Sequence, residues 1–478
     1  MKFSYLRVLV DAKQRRINRL LGIRDGEKPN QDLFTTRRLA AALFICLLAT
    51  CAPAQNANPT NAKLNRERGL RMLSEIKEIV KKEYYDPQFR GLDLDQHFKT
   101  ASERINQLET NSQIFAVIAQ VLLDFNDSHT LFIPPSRINR VQYGFSLQMI
   151  GDNCHVVQIK QGSDAEKQGL KVGDVIIGIN GYAPRKKTLW TLLYLLYQLD
   201  PQPGLTLTMK SIDERTREIF IRARILTPAD RRHESNQRQE LEKQRPELKF
   251  KPYKCQEVNA DLIACKLYTF SVETGVVDKM MKEVGQHKKL ILDLRGNDGG
   301  YVETELHLTG YFFDHDLKVG DEVGRKKTNE RIAKSRKAKA FGGELVVLID
   351  SRSASASEVF ARVVQIEKRG KVVGDASAGS VMTSEHYLLA TLSVGREWQP
   401  DTFPGGVSLS VGDLVMSDGR RLEETGVVPD LASVPTGQAL AEKTDPVLAY
   451  AVTLCGARIS EEDAGKFYFI ADVPESQR

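Results

Sequence analysis

Apolar residues recur along the chain with spacings that divide it into a helical, a strand-rich and a mixed part. Between residues 60 and 125, segments such as "RMLSEIKEIVKKEYYD" and "SQIFAVIAQVLLDF" place apolar residues three to four positions apart, which predicts helices. Segments of residues 141–225, among them "YGFSLQMIG" and "DVIIGING", alternate or run apolar as strands do, and "TLWTLLYLLYQL" adds one amphipathic helix. We therefore predict an N-terminal helical region at 60–140 and a compact β-rich module at 141–225.

The second half of the chain alternates strands with helices. A charged stretch at 226–255, which contains "DRRHESNQRQELEKQRPELKFK", first interrupts the pattern and predicts a solvated helix or linker. From residue 256 to 455, apolar strands such as "KLILDLRG" and "ELVVLID" alternate with helical segments such as "SEVFARVVQIEK", an order typical of an α/β core with a largely parallel sheet. Residues 456–478 are assigned to a C-terminal tail. The predicted fold class is α/β, spread over several domains, as expected for 478 residues.

The first 54 residues have the pattern of an export signal. Arg37 and Arg38 precede the apolar run "LAAALFICLLAT", and Ala52-Pro53-Ala54 provides a small-residue cleavage site. The run is short for a membrane span, although a buried or membrane-lying helix is the alternative. "LATC" also resembles a lipoprotein box, which would attach Cys51 to a lipid. We expect an exported protein of the periplasm or cell envelope, with membrane attachment if the signal is retained or Cys51 is lipidated.

Charge and cysteine content argue against a nucleic-acid-binding surface and against a metal site. Ten of the 68 Lys and Arg residues and four of the 62 Asp and Glu residues lie in the first 54 positions, which leaves 58 of each sign beyond them. This balance argues against a nucleic-acid-binding surface, which requires a basic excess. The cysteines after residue 54 lack a CxxC pair and a histidine at metal-ligand spacing, so we expect no metal site. Cys255 and Cys265 either pair in an oxidising compartment or, as we favour, remain separate buried thiols.

One stretch, "SASASE" at 353–358, lies where a predicted strand meets a predicted helix. A serine at such a sharp junction exposes its hydroxyl, and the amide that follows it points to the same place, so the helix N-terminus can hold a developing oxyanion. Ser355 occupies the junction, and small neighbours such as Ala356 leave room for a substrate backbone. The alternative is a capping box, formed by Ser355 and Glu358, that only starts the helix.

Several separated motifs resemble one family of peptidases. "YGFS" at 143–146 and "GSDAEKQGLKVGDVIIGINGY" at 162–182 are similar to a PDZ domain. "LILDLRGNDGG", "SRSASASEVFA", "RGKVVGDASAG" and "LEETGVVPD" resemble the crotonase-like core of the carboxy-terminal processing peptidases and the tricorn-core serine peptidases. The resemblance spans residues 65–455. It implies a serine peptidase with an acyl-enzyme mechanism, Ser355 as the nucleophile and no cofactor.

The glycines of "DLRGNDGG" are the second part of the predicted site. Glycine lets backbone amides approach a ligand without interference from a Cβ atom. The resemblance implies that Gly299 or Gly300 donates a hydrogen bond to the oxyanion, beside the amide of Ala356. A simple Asp-Gly turn is the alternative.

The group that takes the proton from Ser355 is not the lysine of the processing peptidases. In those relatives the base is a lysine 25 residues after the nucleophile, whereas this sequence has Ser380 at that position. A serine does not accept such a proton at neutral pH. Lys371 is the nearest lysine beyond the nucleophile helix, but it precedes a predicted strand rather than lying in the expected turn.

In the tricorn-like branch a histidine takes the proton from the nucleophile, and "FNDSHT" at 125–130 resembles the segment that carries this histidine. The resemblance implies His129 as the base, with Ser128 and Glu423 linking and orienting it. Imidazole suits this role because its ordinary pKa lies near neutrality. A structural loop histidine is the alternative interpretation of His129, and His386 is a second candidate base.

The PDZ-like module predicts how substrates are recognised. Tyr143, Gly144, Phe145 and Ser146 would present backbone amides to a terminal carboxylate, while an extended peptide adds as a strand beside them. Protein or peptide substrates with free C-termini are therefore expected. A structural or regulatory module without such a ligand is the alternative.

These features together predict an exported serine endopeptidase that acts on substrates bound near their C-termini. The competing hypothesis is a catalytically inactive pseudoprotease, which would serve as a periplasmic peptide-binding scaffold.

Overall fold

A computed structural model of the chain describes residues 59–467, except for 138, 246–248, 286 and 394–404. The predicted export segment at 1–54, with Cys51, lies outside the described residues, as do residues 468–478 of the predicted tail. Within the described ranges, none of the helices combines the length and the apolar content that a membrane span requires.

Helices open the described chain, as the apolar spacing predicts. They are α1 (Pro59–Glu83), α2 (Leu94–Ile105) and α3 (Asn111–Leu123). Asp93 caps α2 and Thr110 caps α3, since each side chain accepts a hydrogen bond from a backbone amide of the first turn. A short strand, β1 (Leu131–Ile133), follows and pairs with a strand of the core rather than staying in the helical region.

The predicted β-rich module is an antiparallel sheet with a helix packed on it. Its elements are β2 (Arg140–Gln142), β3 (Phe145–Ile150), β4 (Asn153–Ile159), α4 (Asp164–Lys167), β5 (Val175–Ile179), α5 (Leu189–Tyr194), β6 (Gly204–Lys210), β7 (Thr216–Arg222) and β8 (Arg224–Leu226). Strands β3 to β7 pair in chain order, so β3 is an edge of this sheet. α5 continues as a wider turn over Leu195–Leu199, and its leucines enter the apolar core of the module.

The charged stretch after this module forms one helix. It is α6 (Pro228–Gln244), which begins with a capping box between Thr227 and Asp230 and has no buried side chain. Its side chains are half-buried or exposed, and Glu234 pairs with Lys160 and Arg224 of the β-rich module. The stretch is therefore a surface helix, as the charge pattern predicts.

The core alternates strands and helices, and its main sheet is largely parallel, as predicted. Its elements are β9 (Tyr253–Asn259), β10 (Leu262–Leu267), α7 (Thr274–Val284), β11 (Lys289–Asp293), α8 (Val302–Thr309), β12 (Leu317–Gly324), β13 (Thr328–Ala333), β14 (Glu344–Ile349), α9 (Ala356–Ile366), β15 (Lys371–Gly374), β16 (Thr383–Leu388), α10 (Ala390–Ser393), β17 (Gly406–Met416), β18 (Leu431–Ala432), α11 (Gly437–Glu442), α12 (Pro446–Leu454) and α13 (Glu461–Gly465).

The order of the main sheet is β18-β15-β14-β11-β10-β9, and all neighbours are parallel except β10 and β9. Parallel strands end at the same edge of a sheet, which is where open α/β folds place their sites. The glycine motif follows the end of β11 and the serine motif follows the end of β14, so the two motifs meet at this edge.

A second sheet connects the N-terminal region to the core. Its strand β17 pairs antiparallel with β1, β12 and β16. The register places Leu131 of β1 opposite Ser408 of β17. The loop at 125–130, which precedes β1 and contains His129, is thereby fixed to the core.

Cys255 and Cys265 form a disulfide, so the preference for separate thiols is wrong. The two residues lie directly opposite each other on the antiparallel pair β9 and β10. Their hairpin register brings the side chains together. Among the described residues, Cys154 and Cys455 are free and buried.

The edge strand β3 packs against the segment that precedes Ser355. Arg352 donates from its guanidinium to the Leu147 carbonyl at 2.6 Å, and the Ser351 hydroxyl donates to the Met149 carbonyl. These two carbonyls face away from β4, so a side chain of the core already occupies each of them. The β-rich module and the nucleophile segment therefore share a direct interface.

Candidate active site

Ser355 lies between the end of β14 and the start of α9. Its backbone has φ +53° and ψ −118°, a left-handed φ that residues with a Cβ atom adopt rarely. A strained turn between a strand and a helix is the geometry of a nucleophile elbow, which presents a serine hydroxyl at the edge of a sheet. The structure therefore places Ser355 at the predicted junction, in the backbone conformation that the predicted role requires.

The three serines of "SASASE" differ in what their hydroxyls contact. Ser353 Oγ donates to the Leu294 carbonyl at 2.8 Å, and Ser357 Oγ donates to the Asn297 carbonyl at 2.9 Å. Both serines are fully buried, whereas Ser355 is partly exposed. Ser355 is the serine of this stretch that a substrate can reach.

Glu358 holds the Ser355 turn against the loop at 377–380. Its fully buried carboxylate accepts hydrogen bonds from the amides of Ser355, Gly379 and Ser380 and from the Ser377 hydroxyl. Burial raises the pKa of Glu358, and these hydrogen bonds oppose that shift. The Ser380 carbonyl accepts a further hydrogen bond from the Ser355 amide at 2.8 Å. The predicted contact between Glu358 and Ser355 is thus present, and it fixes the turn while leaving Ser355 within reach.

The two predicted oxyanion glycines lie beside this turn, and their amides differ. A Cβ atom at Gly299, where φ is +97°, would come within 2.7 Å of the Ser355 Cβ, so glycine is required there. The Gly299 amide donates to the side-chain oxygen of Asn297 at 2.9 Å. Within the described ranges, the amides of Gly300 and Ala356 have no acceptor. Gly300 is therefore the better candidate of the two glycines, together with Ala356.

His129 is held by a chain of side-chain contacts. Its Nδ1 atom lies 2.6 Å from Ser128 Oγ, and Ser128 Oγ donates to Glu423 Oε2 at 3.0 Å. An ionised Glu423 can only accept, so the Ser128 oxygen accepts the Nδ1 proton in turn. This order leaves the lone pair of the ring on Nε2, as a general base requires.

Burial shifts the pKa of His129 and of Glu423, the two ends of this series of side-chain contacts. Burial lowers the pKa of His129, with Asp127 opposing the shift and His386 adding to it. Burial also raises the pKa of Glu423 to about 7, against the hydrogen bonds from Val381 and Ser128. His129 is therefore neutral at physiological pH, whereas Glu423 titrates in that range.

Asp127, which the motif analysis does not single out, fixes the loop that carries His129. Its buried carboxylate accepts five hydrogen bonds, from the amides of His129 and Thr130 and from the hydroxyls of Tyr84, Thr130 and Ser410. A buried carboxylate with this many donors is fully satisfied and rigid. The sequence signal for it is an aspartate that starts a turn two residues before a candidate base.

Glu423 also connects the histidine loop to the nucleophile. The Val381 amide donates to Glu423 Oε2 at 2.9 Å, and the carbonyl of the preceding residue, Ser380, accepts from the Ser355 amide. The structure thus joins Ser355, Glu423, Ser128 and His129 in one network. In the part of the chain that is described, Ser355 and His129 share no hydrogen bond, so their connection runs through Glu423 and the 380–381 backbone. Catalytic hydrogen bonds often tighten only when substrate binds.

The alternative bases have different surroundings. Lys371 is the first residue of β15 and lies opposite Val346 of the parallel strand β14, so it sits toward the end of the sheet away from Ser355. His386 is exposed on β16, and it is close enough to His129 to influence its pKa. Among the described residues, no cluster of His, Cys, Asp or Glu side chains is arranged to bind a metal ion.

The motif at 143–146 begins the edge strand β3. The Tyr143 side chain is buried, and its hydroxyl accepts from the Gln202 amide at 2.9 Å, so its role within the module is structural. Gly144 has φ +80°, and a Cβ there would clash with Ser163. Phe145 and Ser146 start β3 itself. The geometry leaves the backbone of this motif, rather than the Tyr143 ring, as the part suited to a ligand.

Comparison with known families identifies both parts of the chain. Residues 263–433 match peptidase family S41, and residues 133–209 match the PDZ domain. The chain is 22% identical over 354 residues to a carboxyl-terminal-processing peptidase 1 of Arabidopsis thaliana chloroplasts, a match that covers 70% of this chain and 66% of the plant protein. It is 23% identical to the chloroplastic C-terminal processing peptidase of Tetradesmus obliquus, over 74% of this chain and 75% of the relative. The resemblance seen in the sequence motifs is confirmed.

Comparison with solved structures supports the fold. Mature CPAF superimposes with a TM-score of 0.59 at 15% identity, covering 79% of this chain and 94% of that chain. This likeness confirms the arrangement of N-terminal helices, PDZ domain and α/β core, which is the predicted fold class. Residues 263–433 thus match a serine-type peptidase family in sequence, and the chain shares its fold with mature CPAF.

Proposed function

We propose, on the premise that residues 263–433 belong to peptidase family S41 and residues 133–209 are a PDZ domain, that this chain is a serine endopeptidase acting on substrates recognised near their C-termini. The observation that carries the proposal is the strained turn at Ser355, where a reachable hydroxyl lies beside the unoccupied amides of Gly300 and Ala356. The half-buried, neutral His129 is tied to the same turn through Glu423.

The proposed acylation step uses each of these groups. His129 Nε2 removes the proton from Ser355 Oγ while that oxygen attacks the carbonyl carbon of the scissile peptide bond. The oxyanion that forms accepts hydrogen bonds from the amides of Gly300 and Ala356, at the positive end of α9. His129 then donates its proton to the leaving amine, and the C–N bond breaks to leave an ester on Ser355.

Water completes the proposed reaction. His129 accepts a proton from a water molecule as the water oxygen attacks the ester carbonyl, and it returns that proton to Ser355 Oγ when the ester bond breaks. Ser128 and Glu423 keep the ring in the tautomer that both steps require. Glu423 stabilises the imidazolium by charge and does not itself carry the reacting proton.

Free C-termini are the proposed recognition element. The backbone amides at the start of β3 would bind the terminal carboxylate. The rest of an extended peptide would pair along the edge of β3, beside α5. Because Arg352 and Ser351 occupy the Leu147 and Met149 carbonyls, a bound peptide would either stop short of these positions or displace the two side chains.

Export to the periplasm or cell envelope is part of the proposal. Two features support it: the signal-like segment at 1–54 and the disulfide between Cys255 and Cys265. Disulfides persist in oxidising compartments and are rare in the cytosol. A retained or lipidated signal would also place the protein at the membrane.

A fluorophosphonate probe separates the proposed peptidase from the alternative, a pseudoprotease scaffold that lacks the lysine of its relatives at Ser380. We expect the probe to label Ser355 covalently and the protein to hydrolyse casein. Ser355→Ala should lose both reactions with a nearly unchanged melting temperature, since its hydroxyl is partly exposed. Ser353→Ala, whose hydroxyl is buried in a hydrogen bond, should still be labelled. Absence of labelling in a folded wild-type protein that binds C-terminal peptides would favour the scaffold.

A further inference from the structure

Three residues from distant parts of the chain meet beside the histidine loop. Glu424 Oε1 accepts a hydrogen bond from Asn126 Nδ2 at 2.7 Å and forms an ion pair with Arg90 Nη2 at 3.1 Å. Arg90 Nη1 donates in addition to the Asn126 carbonyl. We call Arg90, Asn126 and Glu424 the Arg90 latch. Asn126 lies three residues before His129, and Glu424 follows Glu423 directly.

The backbone of the Arg90 latch is left-handed at all three positions. Arg90, Asn126 and Glu424 have φ values of +54°, +53° and +63°. A left-handed conformation is unfavourable for a residue with a Cβ atom, although least so for asparagine, and it persists where other contacts enforce it. Asp86 supplies such contacts on one side, because its carboxylate accepts from the amides of Gln88 and Arg90. Three segments are thus bent so that their side chains converge.

Glu424 also contacts the loop that holds the nucleophile. Its amide donates to the Gly379 carbonyl at 2.9 Å. The next residue of that loop, Ser380, accepts from the Ser355 amide at 2.8 Å. The side chain of Glu424 therefore binds the histidine loop, while its backbone binds the nucleophile loop.

We propose that the Arg90 latch sets the position of the His129 loop relative to the core that carries Ser355, and that Arg90 is a positioning residue for proton transfer. This inference rests on the proposed function. Arg90 acts through Asn126 and Glu424 and touches no reacting atom. Its side chain is 31% exposed and that of Glu424 is 43% exposed, so the ion pair contributes little to global stability. A small displacement of a catalytic group, by contrast, costs a large part of the rate.

Arg90→Ala tests the proposal through turnover and Ser355 reactivity. We expect kcat on casein to fall by about tenfold or more with KM within about twofold, since a misplaced base slows chemistry rather than binding. Fluorophosphonate labelling of Ser355 should slow in parallel. Arg90→Lys should retain intermediate activity, and methylguanidinium added to Arg90→Ala should restore part of the labelling rate. Glu424→Gln, which keeps the side-chain shape, should reproduce the loss without disturbing the fold.

Arg325→Ala is the matched control. Arg325 packs on the Phe89 ring, one residue from Arg90, and donates to the Tyr84 carbonyl, but it contacts neither Asn126 nor Glu424. This variant should keep kcat and labelling within about twofold of wild type. Equal losses in Arg325→Ala and Arg90→Ala would reduce the effect to general loosening of the region and overturn the proposal.

Hydrogen–deuterium exchange of residues 125–130 gives a readout that does not depend on activity. Exchange in this segment should accelerate in Arg90→Ala and stay unchanged in Arg325→Ala, because the Arg90 latch holds the loop. An Arg90→Ala protein with wild-type exchange and wild-type labelling would refute the latch. If wild type itself fails to label at Ser355, the proposed peptidase activity is wrong, and the exchange data alone decide whether the latch positions the loop.

Discussion

Glu423 and His129 respond to burial in opposite directions, and this sets the expected pH dependence of activity. Burial keeps His129 neutral by lowering its pKa, whereas it raises the pKa of Glu423 to about 7. Below that pH, Glu423 becomes protonated and can donate to Ser128 Oγ instead of accepting from it. The Ser128 oxygen then no longer has to accept the Nδ1 proton of His129, so the tautomer of the ring is less firmly set. We expect kcat/KM to rise with pH through about 7, a value that belongs to Glu423 in the free enzyme.

Glu423→Gln distinguishes this assignment from titration of the base itself. The glutamine amide does not ionise in this range, so the rise in kcat/KM near pH 7 should disappear. The rise that remains should come from His129 and lie below the ordinary histidine pKa of about 6.5. The variant should lose about tenfold in kcat/KM at pH 8, less than His129→Ala, because it disturbs the orientation of the ring without removing it. Profiles measured between pH 5 and 9 provide the check. A rise near pH 7 that survives in Glu423→Gln would assign it to another group.

At the scale of single residues, the sequence predicts the positions that a local pattern defines. Ser355 follows from a strand, a serine and a helix in succession, and the structure adds the positive φ that no pattern displays. Asp127 escapes prediction because its role depends on donors from distant segments, such as Ser410. The contact of Glu358 with Ser355 follows from the local pattern, but the hydrogen bond that Glu358 accepts from Ser377 does not. The choice between Gly299 and Gly300 likewise depends on which amide Asn297 occupies.

At the scale of elements, periodicity predicts helices and strands well, while strand partners lie beyond it. β1 falls in a region predicted as helical, because three residues are too few to show an alternation. The pairing of Cys255 with Cys265 has a sequence signal, since the two cysteines are placed symmetrically about the turn at 259–261, but it appears only once a hairpin is assumed. The interface between β3 and the Ser351-Arg352 segment has no local signal.

That interface leads to a prediction about peptide binding. Removing the guanidinium in Arg352→Ala frees the Leu147 carbonyl, so a peptide can extend along β3 without displacing a charged donor. A fluorescein-labelled, unstructured peptide ending in a free leucine should bind Arg352→Ala about five- to tenfold more tightly than wild type, as expected for a competing charged hydrogen bond worth roughly 1–2 kcal/mol. Fluorescence anisotropy measures the affinity.

Two comparisons sharpen this binding experiment. Arg362→Ala removes an arginine of α9 whose guanidinium contacts Gln365 and Asp418, so its affinity should equal that of wild type. The same peptide with an amidated C-terminus should bind about tenfold more weakly to every variant, because it loses charge-assisted hydrogen bonds to the β3 amides. Equal affinity of wild type and Arg352→Ala would show that the peptide does not use the Leu147 position.

At the scale of the whole molecule, the predicted site depends on segments that are far apart in sequence. His129 belongs to the loop before β1, Ser355 to the main sheet and Glu423 to the segment after β17. The pairing of β1 with β17 and the contacts of β3 with the 350–352 segment unite the helical region, the PDZ domain and the core. The order of the domains can be predicted from the sequence. The contacts between the domains cannot, because they leave no periodic pattern in the sequence.

The disulfide between Cys255 and Cys265 should stabilise the molecule from the edge of its main sheet. It ties the edge strand β9 to β10, across a sequence separation of 10 residues. In the loop-entropy model, closing a loop of this size contributes about 2–3 kcal/mol by restricting the unfolded chain.

The double variant Cys255→Ser and Cys265→Ala should therefore show a lower denaturant midpoint. Its casein hydrolysis should change little under native conditions, because the bond joins β9 to β10, and β11 separates these strands from β14, the strand that leads to Ser355. Mass spectrometry of protein purified from an oxidising compartment should find the two cysteine peptides linked. Free thiols at both positions in that protein, or an unchanged midpoint in the double variant, would contradict a stabilising bond.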